Sequence, residues 1–174
     1  MKKKVPAGDM FPVRNCVVSA DYRVVSLFPD ATEGEEVGDV LDAIAYLSQH
    51  AETLEIDPQN SVLSGHSAGG HIDSLIAYAS PNMFPADYDA PSVRYVGCIP
   101  FSAPCILFLS ESWPQEKQKE FIHLFPQNTY DEDVAHRWSP YDYISDQSPA
   151  TLFIHGDSDV VVPNSNSLKS LTKG

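Results

Sequence analysis

Ser61-Val62-Leu63-Ser64-Gly65-His66-Ser67-Ala68-Gly69-Gly70-His71 is the stretch that decides how the rest of the chain is read. A short apolar run ends in Gly-x-Ser-x-Gly and a helical pattern begins at once. Ile72, Leu75, Ile76 and Ala79 fall at i, i+3, i+4 and i+7, one apolar face. Strand, tight bend and helix in that order make a nucleophile elbow, in which a serine sits on a strained turn with its hydroxyl exposed above the sheet. Glycines two before and two after, Gly65 and Gly69, are expected because side chains there would meet neighbouring backbone. The helix aims its N-terminal N–H groups and the positive end of its dipole at the same spot, which suits a developing oxyanion. Ser67 is therefore the candidate nucleophile, and the backbone N–H of Ala68 a candidate oxyanion donor. The pentapeptide alone arises by chance in roughly 6% of chains of this length, given ordinary Gly and Ser frequencies. Its flanks carry the reading. The plainer alternative is a glycine-rich turn that serves only close strand–helix packing.

The rest of the composition narrows the class. With 174 residues, 43% of them hydrophobic, the length prior gives one domain able to bury a core. Eleven basic against 24 acidic residues leave a net charge of −13 and a pI near 4.6. That balance argues against a nucleic-acid or anionic-membrane face, because phosphates would be repelled. Polyanionic substrates are disfavoured for the same reason. Cys16, Cys98 and Cys105 show no metal spacing, and an odd number without a framework predicts reduced, buried thiols and a cytoplasmic setting. Met1-Lys2-Lys3-Lys4 resembles the start of a signal peptide, but Pro6, Gly8 and Asp9 interrupt any apolar core behind it. No apolar run reaches membrane-span length. The pattern calls for no cofactor and no metal.

Along the chain, residues 1–15 read as an irregular lead-in to a domain over 16–174. Cys16 to Ala20 is a short strand candidate. Thr32-x-x-Glu35 offers a capping box, after which Val37, Val40, Leu41, Ile44 and Leu47 keep the spacing of an amphipathic helix over a sheet. A turn at Asp57 to Asn60 leads into the elbow. Arg94 to Phe101 is nearly continuous in apolar character, as buried parallel strands are. Residues 102–148 are rich in Pro, aromatics and charge, with a helical pattern around Gln115 to Phe125. They form either a pocket insertion or a surface excursion. Thr151 to His155 is a further strand that runs into Gly156-Asp157-Ser158-Asp159-Val160-Val161-Val162-Pro163. Alternation of this kind predicts an α/β fold, a mostly parallel sheet with helices on both faces. In such sheets reactive groups gather at the C-terminal strand ends, where Ser67 and either Asp157 or Asp159 then lie.

Three ordered blocks resemble the α/β-hydrolase superfamily, in its carboxylesterase and lipase-like branch with kynurenine formamidase-like and isoprenylcysteine methylesterase-like enzymes. They are Val17 to Arg23 with Phe28-Pro29, Gly65 to His71, and Ser139-Pro140 through Ser148-Pro149 to His155 to Pro163, together covering about residues 16–171. The resemblance implies a partial α/β-hydrolase fold and acyl transfer to Ser67, with Asp159 as the triad acid and Asp157 as runner-up. Asp157 otherwise caps its own loop. It further implies that His155 packs beneath the turn as a structural residue. The substrate would be a small ester or amide, neutral or cationic given the acidic surface.

Two elements of that pattern are missing. The branch orders its triad Ser, acid, His, yet His50, His66, His71, His123, His136 and His155 all precede Asp159. An oxyanion loop of the His-Gly-Gly-Gly kind has no counterpart in Met1 to Asn15. The expectation is therefore a form shortened at both ends. Loss of a triad base typically costs ~10⁶ in turnover and loss of one oxyanion donor ~10²–10³, so such a form is weak or inactive. The alternative is a non-catalytic pseudo-hydrolase acting as a binding or scaffold protein. His66 and His71 are poor substitutes for the base: the turn points His66 aside, and His71 lies on the helix leading away. Metal binding by His66, His71 and Asp73 is a weaker third reading, since the spacing matches no established site.

Overall fold

The computed structural model describes residues 16–24, 33–79, 92–108, 113 and 129–173. Among them the elements are α1 (Glu33–Gln49), α2 (Ala51–Leu54), a 3₁₀ turn (Pro58–Asn60), β1 (Ser61–His66), α3 (Ala68–Tyr78), β2 (Tyr95–Phe101), α4 (Glu132–Arg137), α5 (Pro140–Tyr143), β3 (Ala150–Thr151) and α6 (Ser165–Leu171). The three strands form one parallel sheet in the order β1-β2-β3. β3 is short by ladder criteria, but its pairing carries on: Leu152 N–H donates to Cys98 O at 3.0 Å and Ile154 N–H to Pro100 O at 3.1 Å. Parallel neighbours need a crossover between them, and α3 supplies the one that leaves β1.

Core formation follows the predicted periodicities. Val37, Val40, Leu41 and Ile44 of α1 and Ile72, Leu75 and Ile76 of α3 form one buried cluster, with Leu63 of β1 and Tyr95 of β2 packed against it. Side chains alternate along a strand, so Leu63 turns toward these helices while Val62 turns away. Val62, Phe101, Leu152 and Ile154 are exposed on the opposite face. The helices that cover the sheet among the described residues lie on the Leu63 side.

One expectation ends differently. Cys16 to Ala20 joins no strand of the sheet and is exposed, because extended backbone becomes a strand only where a partner takes its N–H and C=O groups. The block that follows is anchored by side chains instead. Arg23 donates to Asp39 from its backbone N–H (2.9 Å), Nε (2.8 Å) and Nη2 (2.7 Å), and from Nη1 to Glu35 at 3.0 Å. That fastens Asp21-Tyr22-Arg23 to α1 and sets Tyr22 against the start of α3. The capping box at Thr32 and the helix around Gln115 to Phe125 lie outside the described residues.

Buried polar residues tie the segment after β2 to the rest. Asn166, fully buried, accepts from Ile106 N–H at 2.9 Å. Ser139 accepts from Leu107 N–H at 2.8 Å and donates to Ala135 O at 2.7 Å. Cys98 and Cys105 are buried and free, whereas Cys16 is exposed. Burial pushes the Cys98 thiol up to about 11. No described helix is long and apolar enough to cross a membrane.

Candidate active site

The elbow is visible in the backbone. Ser67 has φ 53° and ψ −118°, a region that L-residues enter only at a cost of about 1–3 kcal/mol. Its N–H donates to Phe101 O at 2.8 Å, and its carbonyl accepts from His71 N–H at 2.9 Å, so the turn is gripped by β2 on one side and α3 on the other. Gly65 is required by space: a Cβ there would stand 2.5 Å from Gly69 C and 2.6 Å from both Gly69 O and Asp73 Oδ2. The second required glycine differs from expectation. A Cβ on Gly69 would meet only the Tyr22 hydroxyl, at 3.9 Å, while one on Gly70 would come 2.8 Å from Gly65 O and 3.0 Å from Ala103 Cβ. Strand and helix touch through Gly65 and Gly70. Ala68 is exposed at the first position of α3, where helix geometry leaves the N–H without an intrahelical acceptor.

Asp159 follows the strand two places away, beyond the same C-terminal end of the parallel sheet. β2 lies between, and hydrogen bonds run past the strand ends: Ser67 N–H to Phe101 O, then Ser102 N–H to Ile154 O, both 2.8 Å. Two interstrand spacings amount to roughly 10 Å. Asp159 Oδ1 accepts from Val161 N–H and Val162 N–H, each at 2.9 Å. The loop-capping role expected of Asp157 thus falls on Asp159, and Asp157 is exposed. Partial burial alone would raise the Asp159 pKa. The amide bonds from Val162 and Val161, with the Ser102 hydroxyl and His155 nearby, outweigh it and hold the carboxyl below its ordinary value.

The two buried histidines near these groups, His155 and His71, are occupied. His155, with a side chain only 5% exposed, comes within 3.4 Å of Asp159 Oδ2. Its Nε2–H donates to Val162 O at 2.9 Å, and Nδ1 is 2.7 Å from Ser167 Oγ. It is a satisfied packing residue, with neither nitrogen left to take a proton from Ser67. His71 is buried, and its Nε2–H donates to Trp138 O at 2.7 Å. Burial lowers its pKa against the opposing effect of that bond. His66 is exposed at the end of β1. His136 pairs with Asp142 at 2.6 Å and stacks on Phe108. His123 lies outside the described residues. No three His, Cys, Asp or Glu side chains among the described residues group as a metal site needs, so His66, His71 and Asp73 do not converge.

One group beside the elbow, considered in the sequence only as a metal ligand, has a different setting in the fold. Asp73 sits behind Gly65, and desolvation pushes its carboxyl up to about 6. Tyr22 is raised as well, by burial first and then by Glu36 and Asp73. Helical spacing alone leaves Asp73 beside the apolar face. Only the missing Cβ at Gly65 shows what lies over it.

A family model, BD-FAE, matches residues 7–173. The chain belongs to the BD-FAE family. It is 22% identical over 165 residues to Esterase LipQ of Mycobacterium tuberculosis, covering 90% of this chain and 39% of that protein. Over 61 residues it is 43% identical to Lipase 2 of a Moraxella species, covering 35% of this chain and 13% of that one. Among solved structures it is similar to Est2, a thermophilic esterase from Thermogutta terrifontis, with a TM-score of 0.69, 28% identity and coverage of 88% of this chain and 52% of that one. Est2 has been solved with butyrate and with propionate bound, and phosphoramylated by tabun. The BD-FAE chain therefore spans about half the length of that esterase and less of the two curated relatives. Its partial α/β-hydrolase fold and its place among esterase-like and lipase-like hydrolases agree with the reading of the three sequence blocks.

Proposed function

We propose that the protein is a serine esterase in which Ser67 forms an acyl intermediate with a small carboxylic ester. The observation that carries this is the forced backbone at Ser67, clamped by Gly65 and Gly70 at a strand-to-helix bend on the sheet edge that also bears Asp159. In this reading Ser67 Oγ attacks the ester carbonyl as a histidine from outside the described residues takes its proton. Asp159 orients that histidine, which then protonates the departing alkoxide. Ala68 N–H and the N-terminal end of α3 stabilise the oxyanion of the tetrahedral intermediate. Water repeats the sequence in reverse and frees the acid. Est2's butyrate-bound and propionate-bound forms favour short acyl chains, and the net charge of −13 disfavours anionic ones.

The test is covalent labelling with a fluorophosphonate probe, followed by peptide mapping and by hydrolysis of short-chain p-nitrophenyl esters. The expected adduct is on Ser67 and is absent in S67A. With His155 and His71 both committed to carbonyl oxygens, hydrolysis of these esters by residues 1–174 alone is expected near background. An adduct on another residue, or labelling unchanged in S67A, overturns the proposal.

A further inference from the structure

The end of the sheet opposite Ser67 carries a recess of its own, where β3 begins and α3 ends. A helix rises about 1.5 Å per residue, so Tyr78, the last residue of α3, is roughly 16 Å from the elbow. At about 200 Å³ the recess is smaller than the ~300–1,000 Å³ of drug-sized ligand pockets and admits roughly ten non-hydrogen atoms.

Among the described residues its polar side chains are all hydroxyls: Tyr78, Ser145, Ser148, Thr151 and Ser170. The hydrogen bonds they already make decide what a ligand would meet. Thr151 Oγ1 donates to Pro149 O at 3.0 Å, so the Tyr78 hydroxyl, 2.9 Å away, donates to Thr151 and keeps its own oxygen open as an acceptor. Ser170 Oγ donates to Asn166 O at 2.8 Å and likewise has acceptor capacity left. Ser145 and Ser148 are the converse case. Ser148 Oγ accepts the Ser145 N–H at 3.1 Å and Ser145 Oγ accepts the Gln147 N–H at 3.3 Å, which leaves both hydroxyl protons uncommitted among the described residues.

Ile144, Pro149, Phe153 and Leu171 supply apolar walls, and no charged side chain lines the recess among the described residues. Two donors and two acceptors between apolar walls match a molecule that both gives and takes hydrogen bonds and presents C–H faces. An anion finds no cation there, in a chain whose net charge of −13 already repels it. A cation finds no carboxylate, and a charge buried without a partner is costly. A hydrocarbon would cover the hydroxyls and leave them without partners.

We infer that this recess is a binding site for a small uncharged polyol of pentitol size, with the Ser145 and Ser148 hydroxyls as donors and the Tyr78 and Ser170 oxygens as acceptors. The site is separate from the Ser67 chemistry, and neither stands or falls with the other.

The experiment titrates the ¹⁵N-labelled chain with xylitol and follows backbone amide shifts, with 1-pentanol and pentanoate as the apolar and anionic comparisons. Amides of Ser145, Ser148, Thr151 and Ser170 are expected to move and to saturate with a Kd on the order of millimolar, the range open to a ligand of this size. Those around Ser67 stay in place. Both comparison ligands are expected to bind about tenfold more weakly, since neither satisfies donors and acceptors together. S145A and S148A each remove one donor and are expected to raise the xylitol Kd about 3–10-fold. Should S148A alter the circular dichroism spectrum, S145A, whose oxygen accepts the longer 3.3 Å bond, decides alone. Shifts that never saturate, that centre on the Ser67 turn, or that keep the same Kd in S145A overturn the site. Pentanoate or 1-pentanol binding as tightly as xylitol overturns the ligand class and the inference with it.

Discussion

Gly65→Ala tests the packing on which the elbow depends. A methyl group at position 65 would lie 2.5 Å from Gly69 C and 2.6 Å from Gly69 O and Asp73 Oδ2, where carbon contacts ordinarily settle near 3.5–4.0 Å. β1 and α3 must then part by about 1 Å. Two of the three crowded atoms are backbone of the first helical turn and cannot rotate away, so the cost falls at the upper end of the overpacking range, about 3 kcal/mol. With a urea m-value of about 2 kcal/mol/M, the unfolding midpoint drops by about 1.5 M. Three other glycines calibrate the result. Gly70→Ala is crowded at 2.8 and 3.0 Å and is expected to be less damaging. Gly69→Ala, with nothing closer than 3.9 Å, is expected to be close to neutral. Gly38→Ala, in mid-α1 with no neighbour within 4 Å, gains roughly 0.5–1 kcal/mol of helix propensity. Urea titration followed by circular dichroism gives all four midpoints. If G65A unfolds within about 0.3 M of wild type, or G69A is as damaging as G65A, β1 and α3 do not meet through Gly65 and the reasoning fails.

Ser67→Gly should be more stable than Ser67→Ala by about 1 kcal/mol, since only glycine relieves the positive φ; equal melting temperatures would mean the turn carries no strain. Asp73 has a native pKa of about 6 against an ordinary 3.8. The native state therefore holds its proton more tightly, and the associated stability, complete below 3.8, is lost as pH rises through about 6. Asp73→Asn is accordingly expected to exceed wild type at pH 7.5 by on the order of 1–3 kcal/mol and to lose that advantage near pH 4, as urea midpoints at the two pH values will show. His71 works the other way: burial lowers its pKa from 6.5, so stability falls as pH drops below that value. His71→Gln keeps a donor for Trp138 O and should flatten the slope; a slope unaltered in H71Q refutes the assignment. Val62, Phe101, Leu152 and Ile154, each more than one-third exposed, make an apolar face expected to bind an anilinonaphthalene dye. Leu152→Glu should weaken that fluorescence, and no dye binding by the wild type contradicts an open face.

The strand–bend–helix order around Ser67 was legible because apolar periodicity and glycine placement are local properties of the chain. The same holds for the helix over Val37 to Leu47 and for the strands at Tyr95 and Thr151. The strand expected at Cys16 failed for the converse reason. Nothing in Val17-Val18 states whether a ladder partner exists, and in the fold those residues stay exposed while Arg23 anchors the block through Asp39. Gly69 was taken as the second close-contact glycine by its symmetry about Ser67. The helix instead turns Gly70 onto the strand, a matter of helical phase that a pentapeptide does not fix.

By itself the sequence determined the parallel α/β class, the bend at Ser67 and the placing of Asp159 in a loop that follows a strand, since each follows from spacing within a dozen residues. Tertiary structure alone decided which contacts those residues make. It put Ser102 between the two loops, moved the loop-capping role from Asp157 to Asp159, satisfied His155 and His71 with carbonyls, and set the Asp73 carboxyl behind Gly65. Hydrogen-bond partners and desolvation are set by residues distant in sequence that adjacent strand ends bring together, and no local pattern records that distance.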